Sequence, residues 1–320
     1  MSGGLLQLSG IVIDLVHRID RLPSAGEEVE TTEFSIAAGG GFNAMVAAKR
    51  MGASVTYGGV LGTGLLAEIA ARALAKEEIP VAGPHRATID QGSCAVIVDN
   101  TGERSFISHH GAERRVDRAH LGSLDATAYA FALLTGYSLY KPESAAAFVP
   151  WLSALPRPPL FFFDPGPIVA DIPKAALDPV MARADWVSAN AREALVLTGE
   201  TDPASAALRL ARGRRGALVR RGPDGCWLAD ESSVQYVEAF QITCVDSNGA
   251  GDAHDGAFLA ALMDGATPRE AAILANAAAA LSTTRVGPAT SPDLEETRRF
   301  LSCSGRKAAP GWRERVQPGG

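Results

Sequence analysis

Apolar residues fall along this chain in two alternating rhythms. Short, nearly unbroken apolar runs rich in β-branched and aromatic residues occur at Leu5 to Ile13, Ser54 to Val60, Ala128 to Leu134, Leu160 to Phe163, Trp186 to Ser188 and Ala217 to Arg220. Runs of that kind predict strands covered on both faces rather than on one. Between them lie segments of helical pattern: Phe42 to Met51, stopped by Gly52, then Leu65 to Lys76, Ser144 to Leu155, Lys174 to Arg183, Ala191 to Leu197 and Pro203 to Arg212. Buried strands alternating with helices predict an α/β architecture with a mostly parallel sheet and helices on both sides. Two stretches break the rhythm. Asp20 to Ile36 has a turn at Leu22-Pro23-Ser24 followed by extended-looking sequence, and Gly92 to His109 reads as a hairpin turning at Asp99-Asn100-Thr101-Gly102. They predict a small antiparallel sheet, drawn from about residues 15–37 and 90–110, standing apart as a lid; the same residues also fit edge strands of the main sheet.

The length of 320 residues suits one large α/β domain or two modest ones. We take residues 1–302 as a single domain and 303–320, rich in Gly, Pro, Lys and Arg, as a poorly ordered tail. The formal net charge of -6, with 36 acidic against 30 basic residues, argues against a nucleic-acid partner. Cys94, Cys226, Cys244 and Cys303 form no Cys-x-x-Cys pair, so a zinc site has no support. Met1 to Gly4 lacks the basic and apolar stretches of a signal peptide, and no apolar run reaches the roughly 18 residues of a membrane span. The expectation is a cytoplasmic protein with reduced thiols and no membrane partner.

The segment Val245 to Phe258 carries the sharpest chemistry. Gly249, Ala250 and Gly251 are small enough for their backbone to approach a ligand, and the residues after them continue as a helix that Gly265 ends. Amides converging at a helix N-terminus make an anion site suited to phosphate. Asp252 stands beside it, where a carboxylate could take a proton from a hydroxyl; the helix N-terminus should keep that carboxylate ionised and weakly basic. By the residues alone, a turn with Asp252 as helix cap fits equally well.

Asp246-Ser247-x-Gly249-Ala250-Gly251-Asp252 resembles the second signature of the ribokinase-like (PfkB) carbohydrate kinases, Asp-Thr/Ser-x-Gly-Ala-Gly-Asp. Upstream, Ala38-Gly39-Gly40-Gly41-Phe42-Asn43-Ala44 looks like the first signature, and the two stand in the family's order. The resemblance runs from about Leu5 to Phe300. It implies a three-layer α/β/α sandwich with a mostly parallel central sheet and a small antiparallel β lid. It implies a kinase moving the γ-phosphoryl group of ATP, with Mg²⁺, onto an alcohol group. Asp252 would be the catalytic base and the Gly249, Ala250 and Gly251 amides the anion hole. Asp14, at the end of the first strand, with Gly40, Gly41 and Asn43, would bind acceptor hydroxyls; Asp164, in Phe163-Asp164-Pro165-Gly166, would orient phosphate or substrate. Asn190 and Glu193 match an Asn-x-x-Glu motif tied to Mg²⁺ placement, with Glu193 acting through water. Gly222 and Gly225, in Arg221-Gly222-Pro223-Asp224-Gly225, resemble the nucleotide-side turn, which is also a plain hairpin turn. Asn276 lies on a small-residue helix that in the family packs near adenine, with Gly287 in a loop nearby. Asp246 resembles a ligand of a monovalent cation such as K⁺, and the lid resembles a dimer contact, implying a homodimer.

His254 and Asp255 depart from the aromatic or Thr-Phe pair of many relatives, and His254, His109 and His110 are candidate acceptor contacts or surface histidines. No dense Lys/Arg cluster marks the acceptor-side segments, which favours a neutral sugar; a ribonucleoside or pseudouridine is the alternative acceptor. The first strand leads to Asp14 with no Gly-x-Gly-x-x-Gly, against a dinucleotide oxidoreductase, and no Gly-Lys-Ser/Thr follows a glycine loop, against a Walker-type site. A non-catalytic binding protein on the same fold would be expected to have lost Asp252 or its loop.

Overall fold

The computed structural model describes residues 3–83, 88–101, 103–157 and 159–304. Among these the strands are β1 (Gly4–Gln7), β2 (Ile11–Arg18), β3 (Glu33–Gly40), β4 (Val55–Tyr57), β5 (Ser93–Val98), β6 (Arg104–His109), β7 (Tyr129–Thr135), β8 (Leu160–Asp164), β9 (Trp186–Asn190), β10 (Gly216–Arg220), β11 (Gly225–Ala229) and β12 (Val234–Glu238). Eight of them form one sheet in the order β12-β11-β10-β9-β8-β7-β1-β4, and four form a second in the order β3-β2-β5-β6. In the large sheet every pairing from β4 to β10 is parallel, while β11 and β12 return antiparallel at the edge.

The unbroken apolar runs are explained by burial on both faces. In β8 all residues from Leu160 to Asp164 are buried, and they alternate between two cores. Phe162 joins Leu5, Trp186 and Leu218 on one face, where Phe258 of helix Ala250–Met263 meets Trp186 with ring centroids 5.2 Å apart. Phe161 and Phe163 join Leu6, Val187 and Val219 on the other, against Phe148 and Leu152 of helix Pro142–Ala154 and Val180 of helix Lys174–Arg183. Each such phenylalanine is worth roughly 1.5–3 kcal/mol of burial. Helices Gly41–Arg50 and Ala250–Met263 pack closely because a Cβ at Gly256 would overlap the backbone oxygen of Ala44.

One sequence expectation is corrected here. Leu5 to Ile13 is not one strand. The chain leaves the main sheet after Gln7 and enters the small sheet as β2 at Ile11. Asp14 therefore stands inside β2, paired with Ala37 of β3 and Cys94 of β5, rather than at the end of the first strand. The split is set by Gln7 and Ser9, polar residues buried between the sheets. Gln7 donates from Nε2 to Gly41 O at 3.2 Å and accepts from Ser9 N at 3.0 Å, so the run turns where its own side chain satisfies the turn.

The small sheet is separate, as the broken rhythm implied. Its outer pairs, β2 with β3 and β5 with β6, are antiparallel, and its central pair, β2 with β5, is parallel. Val16, Cys94, Val96 and Val98 make its own small core, while Phe34, Ile36, Phe106 and Ile107 stay exposed. The β11–β12 hairpin was missed by the sequence reading, because Gly225 to Glu238 mixes Cys, Trp, Gln and Tyr in no clean period. The tail assigned to 303–320 lies outside the described residues from 305 onward, as does Gly102 of the hairpin turn.

Candidate active site

The parallel strands of the large sheet end on one edge, and candidate residues sit there. β8 ends in Asp164, β9 in Asn190 and β10 in Arg220. This is the edge at which open parallel sheets take ligands. From above it come Asp14 of β2 and the turn into helix Gly41–Arg50. From the side comes the N-terminus of helix Ala250–Met263.

Gly40 has φ 64 and a Cβ there would come within 2.9 Å of Gly10 O, so the turn into the helix requires glycine. Asp14 lies against this turn, its carboxylate filling the space where a side chain on Gly39 would sit. Asn43 is buried. Its Nδ2 donates to Asp252 Oδ2 at 3.0 Å, and its Oδ1 has no partner among the described residues. The amide orientation follows from the carboxylate, which can only accept. The oxygen is thus a buried acceptor left without a donor.

Gly249 has φ 72 and precedes the helix whose first i to i−4 bond runs from Ala253 N to Gly249 O, 2.8 Å. The amides before that bond have no helical carbonyl to serve. Ala250 N turns back to Ser247 O at a long 3.3 Å. A Cβ on Gly251 would come within 2.8 Å of Arg220 Nη1, so the glycine admits that guanidinium beneath the loop.

The electrostatics differ from the sequence expectation for Asp252. It keeps a small window to solvent at the cleft floor, but the surrounding protein pushes its carboxyl up to about 7; Asn43 pulls it down less than burial raises it, and Asp164 and Asp255 raise it further. Asp14 is likewise raised to about 7, by burial and then by Asp252. Desolvation outweighs the helix N-terminus. Beneath them is a buried cluster around Arg220, whose guanidinium lies 2.8 Å from Asp164, 3.2 Å from Asp255 and 3.8 Å from Glu193. Burial opposes its charge, but Asp255, Asp164 and Glu193 together hold it protonated. Asp164 is pushed up to about 7 by burial against the pull of Arg220, and Glu193 is raised by burial and by Asp164. Ser188 Oγ donates to Asp255 Oδ1 at 2.6 Å.

Asn190 and Glu193 form a reciprocal helix cap: Asn190 N donates to Glu193 Oε2 at 2.8 Å and Glu193 N to Asn190 Oδ1 at 2.9 Å. Gly222 is exposed with φ 56 and open space about it, whereas Gly225 is fixed by Val237 O, which a Cβ would overlap. Asn276 is committed within the protein, donating from Nδ2 to Val237 O and Glu238 O at 3.1 Å each. Its Oδ1 meets His254 Nε2 at 3.1 Å, which fixes Nε2 as the protonated nitrogen. His254 therefore does not face the acceptor. It is two residues past Asp252, on another face of the helix, buried and held neutral with its pKa near 3 by desolvation and Arg220. His109 ends β6, and His110 lies 4.0 Å from Glu113.

Sequence reading missed Arg220 and Tyr137. Arg220 was legible as a cation ending an otherwise apolar run. Tyr137 lies 3.5 Å from where a Cβ on Gly166 would stand, and its phenol is pushed up to about 12 by burial and by Asp252 and Asp164. Nothing in its local sequence marked it.

The profile of the pfkB family carbohydrate kinases matches residues 6–295. The chain belongs to that family. It is a ribokinase-like sugar or nucleoside kinase, a phosphotransferase. Over 298 residues it is 30% identical to the uncharacterized sugar kinase YegV of Escherichia coli, covering 91% of this chain and 92% of that protein. Ribokinase of Haemophilus influenzae is 26% identical over 313 residues, 94% of this chain and 99% of its own. The fold is that of Arabidopsis thaliana ribokinase, solved with ribose and ATP, at a TM-score of 0.77 and 22% identity over 94% of this chain and 99% of that one. No helix among the described residues is long and apolar enough to cross a membrane.

Proposed function

We propose that this protein transfers the γ-phosphoryl group of ATP to a hydroxyl of a neutral sugar, with Asp252 as general base. The observation that carries this reading is the Asn43–Asp252 bond, which joins the turn into helix Gly41–Arg50 to the amide loop and leaves Asn43 Oδ1 a buried acceptor without a donor. The acceptor hydroxyl lies between Asp14, Asn43 and Asp252, against the backbone of Gly40 and Gly41. Its proton passes to Asp252 as its oxygen bonds to the γ-phosphorus and the bond from that phosphorus to ADP breaks. The carboxyl near 7 is poised for this work at neutral pH. The amides of Gly249, Ala250 and Gly251 meet the negative charge on the transferring group. Asp164 fixes Arg220 below the loop. Gly222 and Gly225 shape the turn on the nucleotide side, and Asn276 supports that side by tying down Val237 and Glu238.

Mg²⁺ fits the charge balance. Around Arg220 the carboxylates of Asp164, Glu193 and Asp255 outnumber the single cation. Mg²⁺ keeps several waters and takes phosphate oxygens, so one or two carboxylates suffice to place it. Glu193 would hold it through water, and the ion would neutralise phosphate charge.

Residues 1–302 act as one kinase domain, and the small sheet acts as a lid that excludes water from the cleft. Exposed Phe34, Ile36, Phe106 and Ile107 on that lid support a homodimer. Size-exclusion chromatography with light scattering should return twice the 33.3 kDa chain mass, and a monomer would end that idea. Four cysteines with no Cys-x-x-Cys pair, read as reduced thiols, support a cytoplasmic setting.

ATP consumption across neutral sugars, sugar acids and nucleosides tests the function. Turnover with a neutral sugar is the expected result. Turnover confined to nucleosides would move the acceptor to that class, and ATP binding without turnover on any acceptor would mean a binding protein.

A further inference from the structure

Asp246 opens the loop that ends in Gly249 to Gly251, and its carboxylate is buried and bonded through both oxygens. Oδ1 accepts from Asn248 N at 2.8 Å and from Nη2 of Arg104, and Oδ2 accepts from Gly287 N at 3.0 Å. Arg104 Nη1 also reaches Ser247 Oγ at 3.4 Å. The amides of Val245 and Asp246 both end on Thr283 O, at 2.7 and 3.0 Å, just past helix Pro268–Ser282. The loop is thus hung between that helix C-terminus and β6 of the small sheet, which carries Arg104.

A carboxylate beside a helix C-terminus concentrates negative charge where a triphosphate must also come. Some positive charge has to stand there. A monovalent cation is the expectation from sequence, but the donor set does not fit one. The side of Asp246 facing the small sheet is taken by a guanidinium, and a second cation there would meet that positive charge at close range. Arginine stays protonated throughout the accessible pH range and is tethered, so its occupancy depends on no dissolved concentration.

We infer that Arg104 is a built-in counter-ion: its guanidinium holds the place at Asp246 that a dissolved monovalent cation would otherwise fill, and this protein works without K⁺. The inference rests on reading Gly249 to Gly251 as the phosphate loop, but one arm of its test does not.

That arm is thermal unfolding of the protein with KCl, NaCl or tetramethylammonium chloride at equal ionic strength of about 0.1 M. The wild type should show no K⁺-specific shift. Arg104→Ala, with the carboxylate uncovered, should gain one of about 2–4 °C. The second arm is turnover in the same salts. Wild-type rate should be flat, whereas R104A should fall about tenfold in tetramethylammonium and recover in K⁺. If R104A does not accumulate folded, R104Q keeps the stem and carries both arms. A K⁺-specific rise in wild-type melting temperature or rate overturns the inference. So does an R104A or R104Q protein that matches wild type in every salt. Absence of turnover by any variant would count against the kinase reading alone and leave the melting comparison decisive.

Discussion

Replacing Asp252 with Asn should lower kcat by about a thousandfold, within the 10²–10⁴ range typical of a lost general base, while acceptor affinity stays within a few-fold. Asn43 keeps a hydrogen-bond partner in this variant, because the introduced amide can present its oxygen to Asn43 Nδ2. The wild-type pH profile should be informative as well. The base works only deprotonated and its carboxyl sits near 7, so kcat/KM should climb up to about pH 7 and level above it. The same variant should be more stable than wild type at alkaline pH. The folded-state pKa lies above the unfolded value of 3.8, so the native state is relatively favoured while Asp252 is protonated and loses that advantage as pH rises between the two. Removing the charge should therefore recover about 1–3 kcal/mol at pH 8, discounted for the solvent window, and little at pH 4. An Asp252→Asn protein that turned over at the wild-type rate would remove Asp252 from the mechanism.

Arg220→Met should give the largest loss of stability of any single substitution at the site, about 3–5 kcal/mol, because it leaves Asp164, Asp255 and Glu193 buried with no counter-charge. Methionine has comparable length and fills the space beneath Gly251, which separates charge from packing. The loss should depend on pH. Without the guanidinium the folded pKa of Asp164, already near 7, rises further above its unfolded value, so the penalty is small when the cluster is protonated and grows as pH rises. Urea unfolding at pH 6 and pH 8 measures both. Equal midpoints for variant and wild type at pH 8 would show that the cluster does not need the guanidinium for stability, and that Arg220 serves only the ligand.

What the sequence disclosed and what it hid divide along physical lines. The parallel sheet was legible because both faces of strands such as Leu160 to Asp164 are buried, which leaves unbroken apolar runs. The loop at Gly249 was legible because its backbone needs glycine, whose absence of a side chain is visible in sequence. Partnerships across the sheet were not. Arg220, Asp164, Glu193 and Asp255 lie on separate elements, and only folding brings their charges together. The strength of desolvation was hidden for the same reason, so Asp252 read as an ionised, weakly basic carboxylate when burial raises it to about 7. In sequence His254 fits either an acceptor contact or a surface histidine; it is neither, because the helix buries it against Asn276.

The bond between Asn43 and Asp252 spans 209 residues of chain. During synthesis the acceptor-side turn emerges early, and proteins made on the ribosome tend to order their N-terminal parts first. Because β1 pairs with β4 and β7, that end of the sheet can also take shape before the last third of the chain exists. Its chemical partner arrives only with helix Ala250–Met263. A nascent or truncated chain could thus present a surface for a sugar while remaining unable to act on it. The competence to use ATP is withheld until the C-terminal elements dock.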